Sequence, residues 1–358
     1  MPYGTVNADV IQSSVANTSL GAGNASIMKN RIINGAMVID QRNAGASVTA
    51  TSNPYTLDRY QALSAQAAKY TVQQNAGSVT TPSGFTNYLG CTSSSAYSVL
   101  STDFFSIQQS IEGFNVADLG WGGASAKTVT LSFQVYSSLT GTFGGSLRNS
   151  DLSRSYPFSY SIPVANTWTT ISVTIAGDTT GTWVTNNGIG IKVGFCLGAG
   201  STYSGTAGSW SANNYFSATG ATSVVGTSGA TFYITGVQLE VGSSATGYEY
   251  RQYGTELSLC QRYCQVLGGN LYVTGMAFST NRVLGGMPYI NCMRAAPTVT
   301  IASNGYTFFT AGAAQTSSAV SAGANANSST ISLDVTVTAT TGVPGVGQTT
   351  ATTVSAEL

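Results

Sequence analysis

In KTVTLSFQVY the apolar residues Val129, Leu131, Phe133 and Val135 alternate with Thr128, Thr130, Ser132 and Gln134. That period of two belongs to a strand with one face in a core and the other in a polar setting. The same spacing returns in TTISVTIAG through Ile171, Val173 and Ile175, and in GIGIKVGFCLG through Ile189, Ile191, Val193, Phe195 and Leu197. Before residue 255 no long stretch carries the 3.6-residue repeat of a helix, so the main body is expected to be an antiparallel all-β sandwich or barrel. In ATFYITGVQLEV, Phe232 and Ile234 share a face, but the apolar set resumes at Val237, Leu239 and Val241. A phase slip of one residue predicts a β-bulge at Gly236. Asn34-Gly35, Gly144-Gly145 and Gly177-Asp178 are read as turns between strands.

The pattern changes at GTELSLCQRYCQVLGG, where Leu257, Cys260, Cys264 and Leu267 fall at spacings of three and four before Gly268-Gly269. A short linker helix is predicted over residues 253–269. Alternation resumes in PTVTIAS and in STISLDVTVTA, where Ile331, Leu333, Val335 and Val337 share a face, giving a second small β-rich domain over 270–358. Its Gly/Thr/Ala-rich end, TTGVPGVGQTTATTVSAEL, has little to form its own core and is expected to be ordered by other subunits. Residues 1–29 show no sustained period and read as an extended N-terminal arm for attachment, which leaves 30–252 as the sandwich.

Charge narrows the functions open to such a chain. Only 7% of the 358 residues are charged, 13 basic against 13 acidic, and there is no histidine. Without basic clusters nothing drives counter-ion release from nucleic acid or attraction to anionic lipid, so neither nucleic-acid binding nor membrane insertion is expected. The absence of histidine removes Ser-His-Asp and Cys-His nucleophile systems and the usual zinc ligand. No apolar run approaches the ~20 residues of a membrane span, and MPYGTVNADV lacks the layout of a signal peptide. Assembly in a cytoplasm is expected. The five cysteines, Cys91, Cys196, Cys260, Cys264 and Cys292, do not form a disulfide framework and read as reduced, mostly buried thiols.

NRIINGAMVIDQRNAGASVT (residues 30–49) followed by YTLDRYQA (55–62) resembles a family of bacteriophage virion proteins of the tail-fibre and tail structural type. Further blocks follow in that family's order: IEGFNVADLGWGGASAKTVTLSFQVY, SRSYPFSYSI, ANTWTTISVTIAGDTTGTW, GAGSTYSGTAGSW, ITGVQLEVGSSATGYEYR, LCQRYCQV and MRAAPTVTI. The resemblance covers about residues 24–301. It implies a jelly roll of the carbohydrate-binding-module type, closed by a strand with the signature Gln238, Leu239, Glu240, Val241 and Gly242, in a virion protein that is often trimeric and not an enzyme. Related modules hold calcium through acidic residues, but Thr235-Gly236 stands where an acidic pair is expected, so neither a metal nor a cofactor is assigned.

Trp121, Trp168, Trp183 and Trp210, with Tyr203 and Tyr215, are the aromatic residues on which apolar sugar faces can stack. Trp168, just before a strand, reads as a core residue at the sandwich edge. Tyr203, Trp210 and Tyr215 lie in a Gly/Ser-rich loop, where binding residues on β scaffolds are commonly placed. With Trp121 they are the candidate glycan-binding residues. Glu112 and Glu240 are the one carboxylate pair weighed for glycoside hydrolysis, against the plainer reading that each meets Arg251, Arg59 or backbone donors. Cys260 and Cys264, one helical turn apart, read as core thiols rather than metal ligands. Lys29 and Arg31, in Met28-Lys29-Asn30-Arg31, read as an inter-subunit salt-bridge site.

These readings combine into a trimeric phage tail fibre, located in the virion, whose jelly roll meets host surface glycan and whose arm meets other virion proteins. A charge-poor, near-neutral chain gains from burying its edges between copies, and symmetric assembly multiplies weak contacts. The alternative is a capsid decoration, head-fibre or other purely structural virion protein without receptor binding.

Overall fold

The computed structural model describes residues 28–267, 271–279, 282–301, 306–310, 313–316, 319–322, 330–336, 344–349 and 352–358. Most of the arm expected over 1–29 therefore lies outside the described residues. In chain order the first thirteen strands are β1 (Val48–Thr49), β2 (Tyr60–Ser64), β3 (Tyr70–Gln74), β4 (Leu89–Ser93), β5 (Phe104–Glu112), β6 (Val129–Ser137), β7 (Gly141–Arg148), β8 (Ser155–Ile162), β9 (Thr169–Ile175), β10 (Ile189–Ala199), β11 (Ser204–Gly205), β12 (Ser217–Ala218) and β13 (Thr231–Val241).

Eleven of them form an antiparallel jelly-roll sandwich, and β11 and β12 make a separate parallel pair. One sheet has the order β1-β3-β4-β13-β6-β9 and the other β2-β5-β10-β7-β8. The period of two places Val129, Leu131, Phe133 and Val135 of β6 in the core, all at most 1% exposed, and aligns them with Ile191, Val193, Phe195 and Leu197 of β10 as inward residues. Phe133 joins the sheets directly, with its ring edge-on to Phe195 at 5.0 Å and to Tyr160 of β8 at 5.1 Å.

The bulge is present at Gly236. Thr235 pairs with Gln134 and Gln238 with Ser132, so Gly236 and Val237 together oppose Phe133. Gly236 has φ +61°, and a Cβ there would come within 2.6 Å of the Phe85 ring. The backbone conformation and the close approach both select glycine.

Gly144-Gly145 is not a turn but the middle of β7, where Gly145 pairs with Phe158 of β8 and Phe195 of β10. A Cβ on Gly145 would lie 2.4 Å from the Phe158 ring and 2.3 Å from the Gly194 carbonyl oxygen. The glycine makes room for neighbouring strands instead of reversing the chain. Lys29 and Arg31 are engaged within the chain. Arg31 pairs with Asp118 at 2.8 Å, Lys29 Nζ lies 3.8 Å from Glu240, and Glu249 accepts from the backbone N–H groups of Met28, Lys29 and Asn30. Three amides and a carboxylate make the tighter partnership, which anchors the start of the described chain.

The second compact unit comprises Gln252–Leu358 together with the short segments Ile39–Ala44 and Leu57–Arg59. Its helix α1 spans Tyr253–Gln261 and stops well short of residue 269. The strands that follow are β14 (Cys264–Leu267), β15 (Leu271–Ser279), β16 (Arg282–Pro288), β17 (Thr298–Ile301), β18 (Tyr306–Thr310), β19 (Ala313–Thr316), β20 (Ala319–Ala322), β21 (Thr330–Thr336), β22 (Pro344–Thr349) and β23 (Thr352–Ser355). The helical spacing through Cys264 and Leu267 is overridden because the backbone of 264–267 pairs with β23. The sheets have the orders β14-β23-β17 and β19-β18-β22-β15-β16-β21-β20. The Gly/Thr-rich end thus supplies central strands within the chain, β22 between β18 and β15, and β23 between β14 and β17. Pairing on both sides gives these strands the backbone bonds that other subunits were expected to provide.

An ion network ties the end of the chain into this unit. Arg42 and Arg59 both pair with Glu357, Arg59 also lies 3.5 Å over the Tyr263 ring, and the Arg294 guanidinium donates to the carbonyls of Ala356 and Glu357. Asp58 accepts from Gln41 N and Nε2 at 2.6 and 2.7 Å. Cys260 and Cys264 are free, fully buried thiols, and burial pushes the Cys264 thiol up to about 12.

Two predictions arise here. Gly236→Ala should destabilise the sandwich by about 1–3 kcal/mol in urea unfolding, through the positive φ and the clash with Phe85. Burial raises the Asp58 carboxyl from 3.8 to about 6 against the opposing Gln41 hydrogen bonds. The folded chain therefore holds that proton more tightly, and the stability it contributes is lost as pH rises from about 4 to about 6. Unfolding free energy measured for the native chain relative to Asp58→Asn should fall across that window and be level above pH 7.

Candidate functional site

Three tryptophans from three separate connections meet at one place in the sandwich. Trp121 follows the 3-10 turn Ala117–Leu119, Trp183 lies between β9 and β10, and Trp210 lies between β11 and β12. Their ring centroids are 4.8 Å (Trp121 to Trp183), 5.3 Å (Trp121 to Trp210) and 5.4 Å (Trp183 to Trp210) apart, all edge-to-face, and Tyr156 of β8 closes on Trp210 at 5.2 Å. This is the geometry the aromatic quadrupole favours. Each indole N–H donates to a backbone carbonyl: Trp121 to Lys127 at 2.8 Å, Trp183 to Thr180 at 3.1 Å and Trp210 to Ala176 at 2.7 Å. With the donors engaged, the rings are fixed and present apolar surface. Trp121 is buried, whereas Trp183 and Trp210 are half-buried.

The connection carrying Trp183 is held by a charge pair. Arg154 donates through Nε and Nη2 to Asp178 at 2.7 and 2.8 Å, Thr180 donates to the same carboxylate through its N–H and hydroxyl, and Gly122 N–H donates to the Asp178 carbonyl at 2.7 Å. Burial works against the Asp178 charge, but Arg154 and Thr180 outweigh it and hold the carboxyl below its ordinary value. Beside the indoles is a small hollow of about 30 Å³ lined among others by Val116, Leu119, Trp121, Trp183, Val184 and Thr185. Phe114 N–H donates to the Asn186 carbonyl at 2.9 Å, and the Phe114 side chain is 61% exposed. Apolar ring faces with uncharged Thr and Asn beside them suit a sugar, whose C–H face is apolar and whose rim is hydroxyl.

Of the residues singled out in the sequence, Trp121 and Trp210 come together here, completed by Trp183. Tyr203 and Tyr215 do not join them. Tyr203 packs against Phe104 at 5.1 Å and Phe216 at 5.5 Å, and the Tyr215 ring fills the space above Gly205, where a Cβ would come within 2.3 Å. Both brace the 203–216 segment. Phe114 was missed because nothing in EGFNV distinguishes an exposed phenylalanine from a core one. Trp168 is not between the sheets. It packs on Tyr88 and Tyr136 and donates to the Thr80 carbonyl at 2.7 Å. Tyr136 alternates with the inward Val135, which places this group on the outer face of the six-stranded sheet.

Glu112 and Glu240 lie on different sheets, β5 and β13, each 1% exposed. Glu240 accepts from Thr246 N–H at 2.8 Å, the Thr246 hydroxyl at 2.7 Å and Gln238 Nε2 at 2.9 Å, which commits it to the turn after β13. Glu240 thus meets a backbone donor, as the plainer reading expected; Arg251 pairs with Glu249, and Arg59 with Glu357. Among the described residues no group of three His, Cys, Asp or Glu side chains is placed to hold a metal, and no helix is long and apolar enough to cross a membrane.

No family model matches the chain, and no curated protein matches it. Solved structures with similar layouts include a putative sugar binding protein from Bacteroides thetaiotaomicron, at 11% identity and TM-score 0.35, covering 59% of this chain and 99% of that one. The family 11 carbohydrate-binding module of the cellulosomal cellulase Lic26A-Cel5E of Clostridium thermocellum gives 13% identity and TM-score 0.28, covering 58% and 100%. The arabinose-bound α-L-arabinofuranosidase MgGH51 gives 11% identity and TM-score 0.33, covering 57% of this chain, which spans only 26% of that longer one.

Asp178→Ala should loosen the indole cluster. Urea unfolding should show a loss on the order of 2 kcal/mol, less than for a fully buried pair because Arg154 keeps some solvent, and tryptophan emission should shift to the red in the folded state.

Proposed function

We propose that the chain is a bacteriophage virion protein, a homotrimeric tail fibre whose jelly roll binds host surface glycan without cleaving it. The observation that carries the glycan reading is the indole cluster. Its ring donors are bound to backbone, its rings are packed edge to face, and it borders a small hollow lined by apolar residues and Thr185. Trp183 is the contact residue in this reading, and Trp121 and Trp210 fix it in place.

The virion reading rests on the resemblance over residues 24–301. The 7% charge content is consistent with it, because such a surface binds glycan weakly and gains from display in several copies. Binding without turnover is supported by Glu240, whose carboxylate is engaged in a turn, and by the placement of Glu112 on the opposite sheet.

The test uses full-length protein and host cells. Trp183→Ala should lower cell binding about five- to thirtyfold, the loss of one stacking contact of about 1–2 kcal/mol. Its far-UV circular dichroism should stay native although loss of the ring contacts lowers its melting temperature, and Tyr215→Phe should bind like the native protein. Unchanged binding by Trp183→Ala would refute the site. Immuno-electron microscopy of intact particles should place the label on the tail, and label over the head would replace adhesion by a capsid role.

A further inference from the structure

A second feature of the sandwich lies on the outer face of the five-stranded sheet. Along β5, β10 and β7 the inward residues alternate with Ser106, Gln108 and Ser110, with Lys192, Gly194 and Cys196, and with Ser146 and Arg148. Register aligns them: Lys192 pairs with Ser110 on one side and Arg148 on the other, and Gly194 with Gln108 and Ser146. The face is crossed by the 203–216 segment that Tyr203 and Tyr215 brace.

Arg148 is 1% exposed, and every partner it has is neutral. Nη2 donates to Gln108 Oε1 at 2.7 Å, Nη1 donates to Asn214 Oδ1 at 3.2 Å, and the guanidinium lies 3.6 Å over the Phe216 ring. Its Nε is buried without a partner. No carboxylate pairs with it among the described residues, whereas Arg31, Arg42, Arg59, Arg154 and Arg251 each have one. A buried cation without a counter-ion is costly, and burial pulls Arg148 down to about 9.

The adjacent Lys192 adds a second positive charge. It is half-buried, with a long 3.4 Å contact to the Ser150 carbonyl, and is brought down to about 8 by burial and by Arg148 against the exposed Asp151. Asp151 itself accepts from Ser153 N–H at 3.3 Å and from its hydroxyl at 2.8 Å. Gly194 keeps a side chain out from between the two rows, where a Cβ would be a tight 3.3 Å from Ser106 Oγ and 3.9 Å from Arg148 Nη2. Ser146 Oγ, two residues along from Arg148, is buried without a partner.

We propose that Arg148 and Lys192 form a binding site for the carboxylate of an acidic sugar, a uronic acid or a related sugar acid. The guanidinium takes the carboxylate at Nη1, the prong held by the long 3.2 Å bond to Asn214, and Lys192 supplies the second charge. Asn214, half-buried in the loop, is the neutral group that the carboxylate displaces. Binding replaces an amide contact with a charge-assisted one and gives the buried cation its counter-ion. The sugar part rests on the glycan reading above, whereas the anion part does not.

Isothermal titration of the full-length protein in low-chloride buffer, with sodium glucuronate, sodium sulfate and glucose as probes, tests this. Glucuronate should bind saturably, glucose should not, and Lys192→Gln should weaken glucuronate by at least about tenfold at unchanged melting temperature. Arg148→Met should abolish binding, and if that variant fails to fold, Lys192→Gln decides. Trp183→Ala should leave glucuronate binding unchanged, which separates this site from the indole cluster. The proposal is overturned by any of four results: no saturable binding of either anion, sulfate bound but not glucuronate, glucose bound as well as glucuronate, or glucuronate binding that Lys192→Gln leaves intact.

Discussion

Phe133 holds the two sheets of the sandwich at their spacing. Its ring meets Phe195 and Tyr160 across the core, and its own strand position is the one that the bulge at Gly236 must accommodate. If the slip at Gly236 were absent, Val237 and Leu239 would point to the wrong face, since one residue of register reverses every side chain that follows. The bulge keeps β13 apolar toward the core on both sides of it. That continuity brings Glu240, the turn at Thr246 and Glu249 to the place where they hold the start of the described chain.

Once the sheets are fixed, the loops obtain their order from backbone carbonyls and a few charges. The three indoles share no strand, yet each N–H finds a carbonyl within its own or a neighbouring connection, and the Arg154–Asp178 pair pins the connection that supplies two of those carbonyls. Burial of the rings offsets the entropy of ordering glycine-rich connections. In a chain with so few ions, each charge acts at an identifiable place. Glu357 secures the end of the chain in the second unit, Asp178 secures the indole cluster, and Arg148 is left among neutral partners.

Much of the sandwich was legible in the sequence because a half-buried strand writes its two environments into alternate residues. Val129 to Val135 and Ile189 to Leu197 are such runs, and the bulge was visible as a break in their phase. The helix was legible only in its first turns. Beyond Gln261 the spacing of Cys264 and Leu267 continues the helical pattern, and pairing with β23 overrides it. Gly144-Gly145 carries turn chemistry, yet the crowding of Phe158 and Gly194 makes it strand. Loop composition singled out Trp210, Tyr203 and Tyr215 alike, whereas in space Trp210 meets Trp121 and Trp183 and Tyr203 packs on Phe104 and Phe216.

The sequence by itself determined the all-β class, the phase of the core-facing residues and the scarcity of charge, because these depend on residue type and on spacing along one strand. Only the tertiary structure decided which tryptophans meet, that the last strands are central within their sheets, and that Arg148 has no acidic partner. Each of those facts joins residues tens to hundreds of positions apart, and local pattern carries no information about distance through space.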